Sequence, residues 1–203
     1  TLRDLAAFSK VGGTIPKTLI TSTKPELQSF LDETPNGVVC KKLNYSFHVG
    51  TASAYFGQYT EVVDAKALEK LPDGFGLTLC QERIPKFVEL RIYVLLDQLF
   101  AMAIFSQSNE RTRTDFRHEQ TRMRTAPFQL PENIARLIRS FMKEIGTNTG
   151  SIDMILTPSN EYIFLEINTI GQFGMVSHGC HYQLEKHIAH ELRRLANPDL
   201  LVA

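Results

Sequence analysis

This chain of 203 residues predicts an α+β fold with largely antiparallel sheets, and three observations carry that expectation. Short apolar runs come as neighbours joined by brief turn-rich links, as in residues 152–156 and 162–167 about Thr157-Pro158-Ser159-Asn160-Glu161, and in 89–95 and 99–106 about Asp97-Gln98. Such pairs read as adjacent antiparallel strands. Between them lie segments whose apolar residues recur at helical spacing. No internal repeat and no low-complexity stretch is present, so a solenoid is excluded.

In chain order, residues 2–8 read as the end of an amphipathic helix closed by Gly12-Gly13. Residues 18–21 form a short strand after Pro16. Thr23-Lys24-Pro25-Glu26 opens a helix with proline in its first turn and Leu27, Phe30 and Leu31 as its buried stripe. Pro35-Asn36-Gly37 is a turn leading into a strand over 38–43. A polar loop follows from Asn44 to Gln58, holding Ser46, Gly50, Ser53 and Gly57. A strand over 77–82 precedes the 89–106 hairpin. Residues 111–124 are strongly charged and show no period. A helix over 131–145 puts Ile134, Leu137, Ile138, Phe141, Met142 and Ile145 on one side. The last helix, over 182–195, runs through Leu184, Ile188, Leu192 and Leu195.

Composition narrows the function. Lys+Arg and Asp+Glu both number 22, which argues against a general nucleic-acid binder while leaving room for a local basic cluster. No run of about 18 apolar residues exists to span a membrane, and the first ten residues lack the apolar centre of a secretory signal. Cys40, Cys80 and Cys180 are far apart and odd in number, which suits buried thiols in a reducing cytoplasm better than a disulfide frame. His178, Cys180 and His181 have no matching second pair for a structural zinc.

The chemistry concentrates where polar groups interrupt apolar strands. Asp153 lies in one member of the 152–167 pair, and Glu166 and Asn168 lie in the other. Being two apart, Glu166 and Asn168 share a face of their strand. A carboxylate in such a place is expensive to bury without a positive partner. With Asp153 facing them, three oxygen ligands converge as Mg²⁺ requires, its remaining ligands being water and phosphate; the plain alternative is a hairpin with solvated polar edges. Lys41 and Lys42 interrupt the strand VVCKKL. One of two adjacent strand residues points inward, where a lysine needs an anion such as a nucleotide phosphate; otherwise both are edge-strand lysines in solvent. Gln81, Glu82, Arg83 and Ile84 end a strand before Pro85, where backbone groups can meet an adenine edge. Glu89 and Arg91 lie in the next strand, where Arg91 offers its guanidinium fork to phosphate or forms an ordinary cross-strand ion pair.

The order of these features is informative: strand lysine, glycine-containing loop, TLCQERIP, ELRIYVL, basic segment, GSIDMI and FLEINTIGQF. In that order the chain resembles the ATP-grasp ligases from Gly13 to its last helix. Within them it is most similar to those that modify ribosomally made peptides, the microviridin-type graspetide synthetases and grasp-with-spasm maturases. The segments GTIPKTLITS and FLEINTIGQFGMVSHGCHYQLEKHIAHEL point to that branch.

The resemblance implies two lobes with mostly antiparallel sheets and an ATP cleft between them: a small lobe over 13–81, a large lobe over 82–203, and the end of a preceding helix or linker over 1–12. It further implies that the chain begins within a longer protein, without the pre-ATP-grasp domain of its relatives. It assigns Mg²⁺ (with Mn²⁺ as a substitute) to Asp153, Glu166 and Asn168, and the nucleotide phosphates to Lys41 or Lys42. Gln81, Glu82, Arg83 and Ile84 become the adenine hinge, Glu89 a ribose neighbour, and Arg91 a phosphate or acylphosphate contact. In the charged segment it makes Arg117 an acylphosphate or substrate-carboxylate contact, with Asp115 beside it. The implied reaction activates a peptide side-chain carboxylate as an acylphosphate and closes an ester or amide on a precursor peptide with a leader. A homodimer in the cytoplasm is implied as well. Two other readings stay open: a ligase for a free amino acid or small peptide, and a core that binds nucleotide or peptide without turnover.

Overall fold

The computed structural model describes residues 2–42, 49–51, 54–56, 61–108 and 124–196, with the backbone alone at 42, 49–51, 54–56, 61 and 108. The expected α+β class holds, and among the described residues the named strands all pair antiparallel, with one isolated parallel bridge between Thr14 and Ile163. The described residues group into two compact units, one formed by 2–15, 88–105 and 124–196 and the other by 16–42, 49–51, 54–56, 61–87 and 106–108.

The larger unit is a five-stranded sheet with α1 (Leu2–Lys10) and α4 (Glu132–Ile145) on one face. Its strands are β7 (Val88–Leu95), β8 (Gln98–Ile104), β9 (Thr125–Phe128), β10 (Thr149–Leu156) and β11 (Tyr162–Asn168), in the spatial order β11-β10-β7-β8-β9. Alternation in the strands sends Val88, Leu90, Ile92 and Val94 of β7, with Ile152, Met154 and Leu156 of β10, into the core against the helices. That core centres on three fully buried rings from distant parts of the chain. Phe8 stacks on Phe164 at 4.4 Å, and Phe141 meets them edge-on at 5.2 and 5.1 Å. Helix α1, which the sequence places ahead of the first lobe, is therefore part of this unit. Helix α4 ends where expected, on Gly146 in the left-handed conformation with φ +71°. The opposite face of the sheet is partly covered by α5 (Gly174–Cys180), which packs against β7, β8 and β9. Helix α6 (Leu184–Ala196) follows α5.

The smaller unit has a four-stranded sheet in the order β1-β6-β2-β5, formed by Thr18–Thr23, Gly74–Glu82, Val38–Lys42 and Glu61–Val63. Helices α2 (Lys24–Asp32) and α3 (Ala65–Glu69) close one face over Leu27, Val38, Val63, Leu68 and Cys80. Pro25 sits at the start of α2, as the sequence indicates. Within the polar loop read over 44–58, Val49–Thr51 (β3) and Ala54–Phe56 (β4) pair as a small hairpin; Ser46, Ser53 and Gly57 lie outside the described residues.

Candidate functional site

In the larger unit the register assembles five of the expected residues. On β10, Asp153 faces Glu166 of β11 on one side and Arg91 of β7 on the other. Ser151 pairs with Asn168, and Ile155 with Glu89. Glu89, Arg91, Asp153, Glu166 and Asn168 therefore share the sheet face opposite the Phe8–Phe141–Phe164 core. A β-bulge makes this possible. Met154 pairs with Phe164 while Asp153 pairs with Glu166, so Leu165 is the extra residue. Without it, Phe164 and Glu166, two apart, would occupy the same face. The bulge lets Phe164 enter the core while Glu166 faces the acid and the arginine.

Every residue of β7 is buried, so Arg91 and Glu89 are ionisable side chains on a covered strand. Such burial demands partners. Arg91 Nη1 donates to both Asp153 oxygens at 3.1 Å, and its Nη2 donates to Gln172 Oε1 at 3.1 Å. Its Nε–H is buried and has no acceptor among the described residues. The ion pair is well shielded, with side-chain exposures of 10% for Arg91 and 17% for Asp153. A guanidinium held this way keeps the second hydrogen of Nη2 for an anion.

Asp153, Glu166 and Asn168 provide two carboxylates and an amide oxygen, with no sulfur or imidazole ligand. No cluster of three His, Cys, Asp or Glu side chains is found among the described residues. The set nevertheless fits a small hard cation that keeps water and phosphate ligands. Asn168 Oδ1 also accepts from Ile170 N–H at 3.1 Å, which fixes the amide's orientation.

In the smaller unit, Val38 and Cys40 face the helices, so Lys41 of the same strand lies on the other face of the sheet, beside Leu79 of β6. The side chain of Lys42 is outside the described set. Strand β6 leads into the expected hinge. Gln81 is buried, with Nε2 donating to Thr18 Oγ1 at 3.2 Å. Glu82 is doubly tied to Lys17: its N–H donates to Lys17 O at 3.0 Å, and its Oε1 accepts from Lys17 N–H at 2.8 Å. Arg83 N–H donates to Gly37 O at 2.9 Å. These bonds anchor the backbone up to Arg83, and the next amide is that of Ile84. Asp115 and Arg117 lie outside the described residues.

Gln172 and Ser151 were not singled out by the sequence. Both act on the turn after β11, where Ser151 Oγ donates to Gly171 O. The available signal was Gly171-Gln172 directly beyond the E-x-N strand, a glycine where a tight turn requires one.

Neither a protein-family profile nor a curated protein sequence matches the chain. Solved structures do. Macrocyclase MdnC from Microcystis aeruginosa MRC, bound with precursor peptide MdnA, matches with a TM-score of 0.79 and 31% identity, over 95% of this chain and 59% of that one. A Chryseobacterium gregarium RiPP-associated ATP-grasp ligase, in complex with ADP and a leader and core peptide, gives 0.78 and 30% over 87% and 54%. PsnB, an ATP-grasp ligase complexed with a phosphomimetic variant of its minimal precursor, Mg and ADP, gives 0.67 and 20% over 87% and 52%, and so speaks to the fold alone. The chain spans between half and three-fifths of the length of these proteins. It has the ATP-grasp fold. Within that fold, it is similar in sequence to ligases associated with ribosomally made peptides.

Proposed function

We propose that the chain is the core of an ATP-dependent ligase that joins a side-chain carboxylate of a precursor peptide to a hydroxyl or amine. The observation that carries this reading is the row Arg91–Asp153–Glu166, placed side by side on one sheet face by register. In the first step a carboxylate oxygen of the peptide attacks the γ-phosphorus of ATP, the bond to the β-phosphate oxygen breaks, and ADP leaves. In the second, the nucleophile attacks the acylphosphate carbonyl, its proton is lost, and inorganic phosphate departs. The product is an ester or amide, and a macrocycle where both groups belong to one peptide.

The chain's own residues do the positioning and charge neutralisation on which such transfers depend. Arg91 would meet the phosphoryl oxygens with its remaining Nη2 donor. Lys41, on the face away from the helices, is favoured over Lys42 for the nucleotide phosphates. The Ile84 amide would donate to the base, with Gln81, Glu82 and Arg83 shaping the hinge and Glu89 near the ribose. Asp153, Glu166 and Asn168 would hold Mg²⁺, which when bound offsets the charge on the phosphates. Arg117 and Asp115 remain the residues proposed for the substrate carboxylate. A leader-bearing precursor, a cytoplasmic location and a homodimer belong to the same reading; light scattering tests the last.

The test is thermal stability with ADP, with and without Mg²⁺, for wild type, Asp153→Asn and Asn168→Ala. A ligand at about 100 times its Kd adds roughly 2.7 kcal/mol. Stabilisation of wild type that needs Mg²⁺ and disappears in both variants is the expected result. No response of wild type to ADP with Mg²⁺ removes the ligase reading and leaves peptide binding alone.

A further inference from the structure

Gln172 has a left-handed backbone, φ +48°, directly after Gly171 at φ +103°. Glycine adopts such angles freely, whereas a side chain there is strained. The two residues reverse the chain beyond β11, and the turn is fastened by Gly171 N–H donating to Asn168 O at 3.2 Å and by Ser151 Oγ donating to Gly171 O. Gln172 is exposed, so its side chain gains little from burial. What it does gain is the 3.1 Å bond from Arg91 Nη2. Arg91 is thus gripped at two nitrogens, by an acid at Nη1 and a neutral amide at Nη2, with its Nε–H uncommitted.

The difference between the two grips matters. Asp153 offsets the guanidinium charge and Glu166 stands next to it in register, so a further carboxylate at position 172 would add negative charge directly against Arg91. A glutamine fixes the plane of the guanidinium while preserving its pull on an anion. We propose that Gln172 is a positioning residue for Arg91, orienting the remaining Nη2 donor toward the γ-phosphoryl group of ATP. This rests on the ligase reading above. Gln172 touches no reacting atom and acts only through Arg91.

The experiment compares affinities for ADP and for the imido analogue AMPPNP, both with Mg²⁺, by calorimetric titration of wild type, Gln172→Gly and Gln172→Glu, with melting temperatures alongside. Glycine relieves the left-handed strain, so Gln172→Gly should melt at the wild-type temperature or above it. Its ADP affinity should stay within about twofold while AMPPNP affinity falls about tenfold, the scale of one charge-assisted contact. Gln172→Glu should lose at least as much for AMPPNP, since it adds negative charge beside the γ-phosphate. A residue that only shapes the turn would weaken both nucleotides alike or neither, and either result overturns the proposal. Wild type that binds neither nucleotide overturns the ligase reading, and the role of Gln172 falls with it; wild type that binds both while Gln172→Gly leaves their ratio unchanged overturns the role of Gln172 alone.

Discussion

Arg91 lies on the central strand of its sheet, and its pairing with Asp153 decides what a substitution there does. Removing one partner of a shielded ion pair typically costs about 3–5 kcal/mol, because the other charge stays behind in a poorly solvated place. Arg91→Met is expected toward the lower end, about 3 kcal/mol, since Asp153 retains some solvent contact. Adding Asp153→Asn to Arg91→Met should recover part of the loss. Urea unfolding of the two singles and the double gives the coupling, and a double variant no more stable than the additive sum would show that the pair is not coupled. Lys41 carries a different expectation. It lies on the sheet face away from the helices, so Lys41→Met should leave the fold intact and weaken ADP binding about tenfold, as loss of one phosphate-bound ammonium does. Lys42→Met is the comparison in the same titration, and an equal loss there would reverse the assignment.

The elements explain how residues far apart in the chain come to share a face. Gly150 begins the approach of β10 to β11, and a Cβ added there would stand 3.0 Å from Ile167 Cδ1 and 3.2 Å from the Asn168 carbonyl oxygen. The isoleucine terminus can swing away; the carbonyl moves only with the end of β11. Gly150→Ala is therefore expected to cost about 1 kcal/mol in stability, while Mg²⁺-dependent stabilisation by ADP drops by more, because Asn168 is displaced. Thermal melts with and without ligand separate the two effects. Much of this arrangement was legible in the sequence. The strand pairs, the α4 helix with its apolar side and the shared face of Glu166 and Asn168 follow from periodicity and turn chemistry. The bulge at Leu165 was not, because a period of two carries no mark of an inserted residue until its partner strand is known. Strand β9 escaped notice because Pro127 weakens any strand signal, and it is tolerated here on the sheet edge. Helix α3 is one turn long and α5 contains Gly174 and Gly179, so neither offers a stripe long enough to read. The Arg91–Gln172 contact joins residues 81 apart, and no local pattern announces it.

At the scale of the whole molecule, the formal charge of zero at pH 7 means that alkaline stability depends on individual groups more than on global repulsion. In the larger unit those groups point one way. Burial raises the pKa of the Tyr162 phenol and the Cys180 thiol, and burial together with the nearby Cys180 raises that of Tyr182. Each is an acid held neutral by the fold, so its contribution is complete below its ordinary value, 9.0 for the thiol and 10.0 for the phenols. That contribution is lost as pH rises through the shifted value. The smaller unit points the other way: Cys40 and Cys80, cross-strand partners with sulfurs 2.9 Å apart, share a hydrogen bond that lowers the Cys80 pKa. Ionisation of Cys80 is then easier in the folded state, and stability relative to neutral pH rises as pH passes through its value. The melting temperature should fall from about pH 9 upward, with the fall led by the larger unit. Tyr182→Phe loses the 2.8 Å bond from its hydroxyl to Ala101 O and with it about 1 kcal/mol at neutral pH, yet it should flatten the alkaline decline. Cys80→Ser should steepen that decline by removing the opposing contribution. Circular-dichroism melts of the three proteins between pH 8 and about 11.5, which spans the rise above the ordinary phenol value of 10.0, check both slopes, and a Tyr182→Phe slope equal to wild type above pH 10 would show that its burial does not govern alkaline stability.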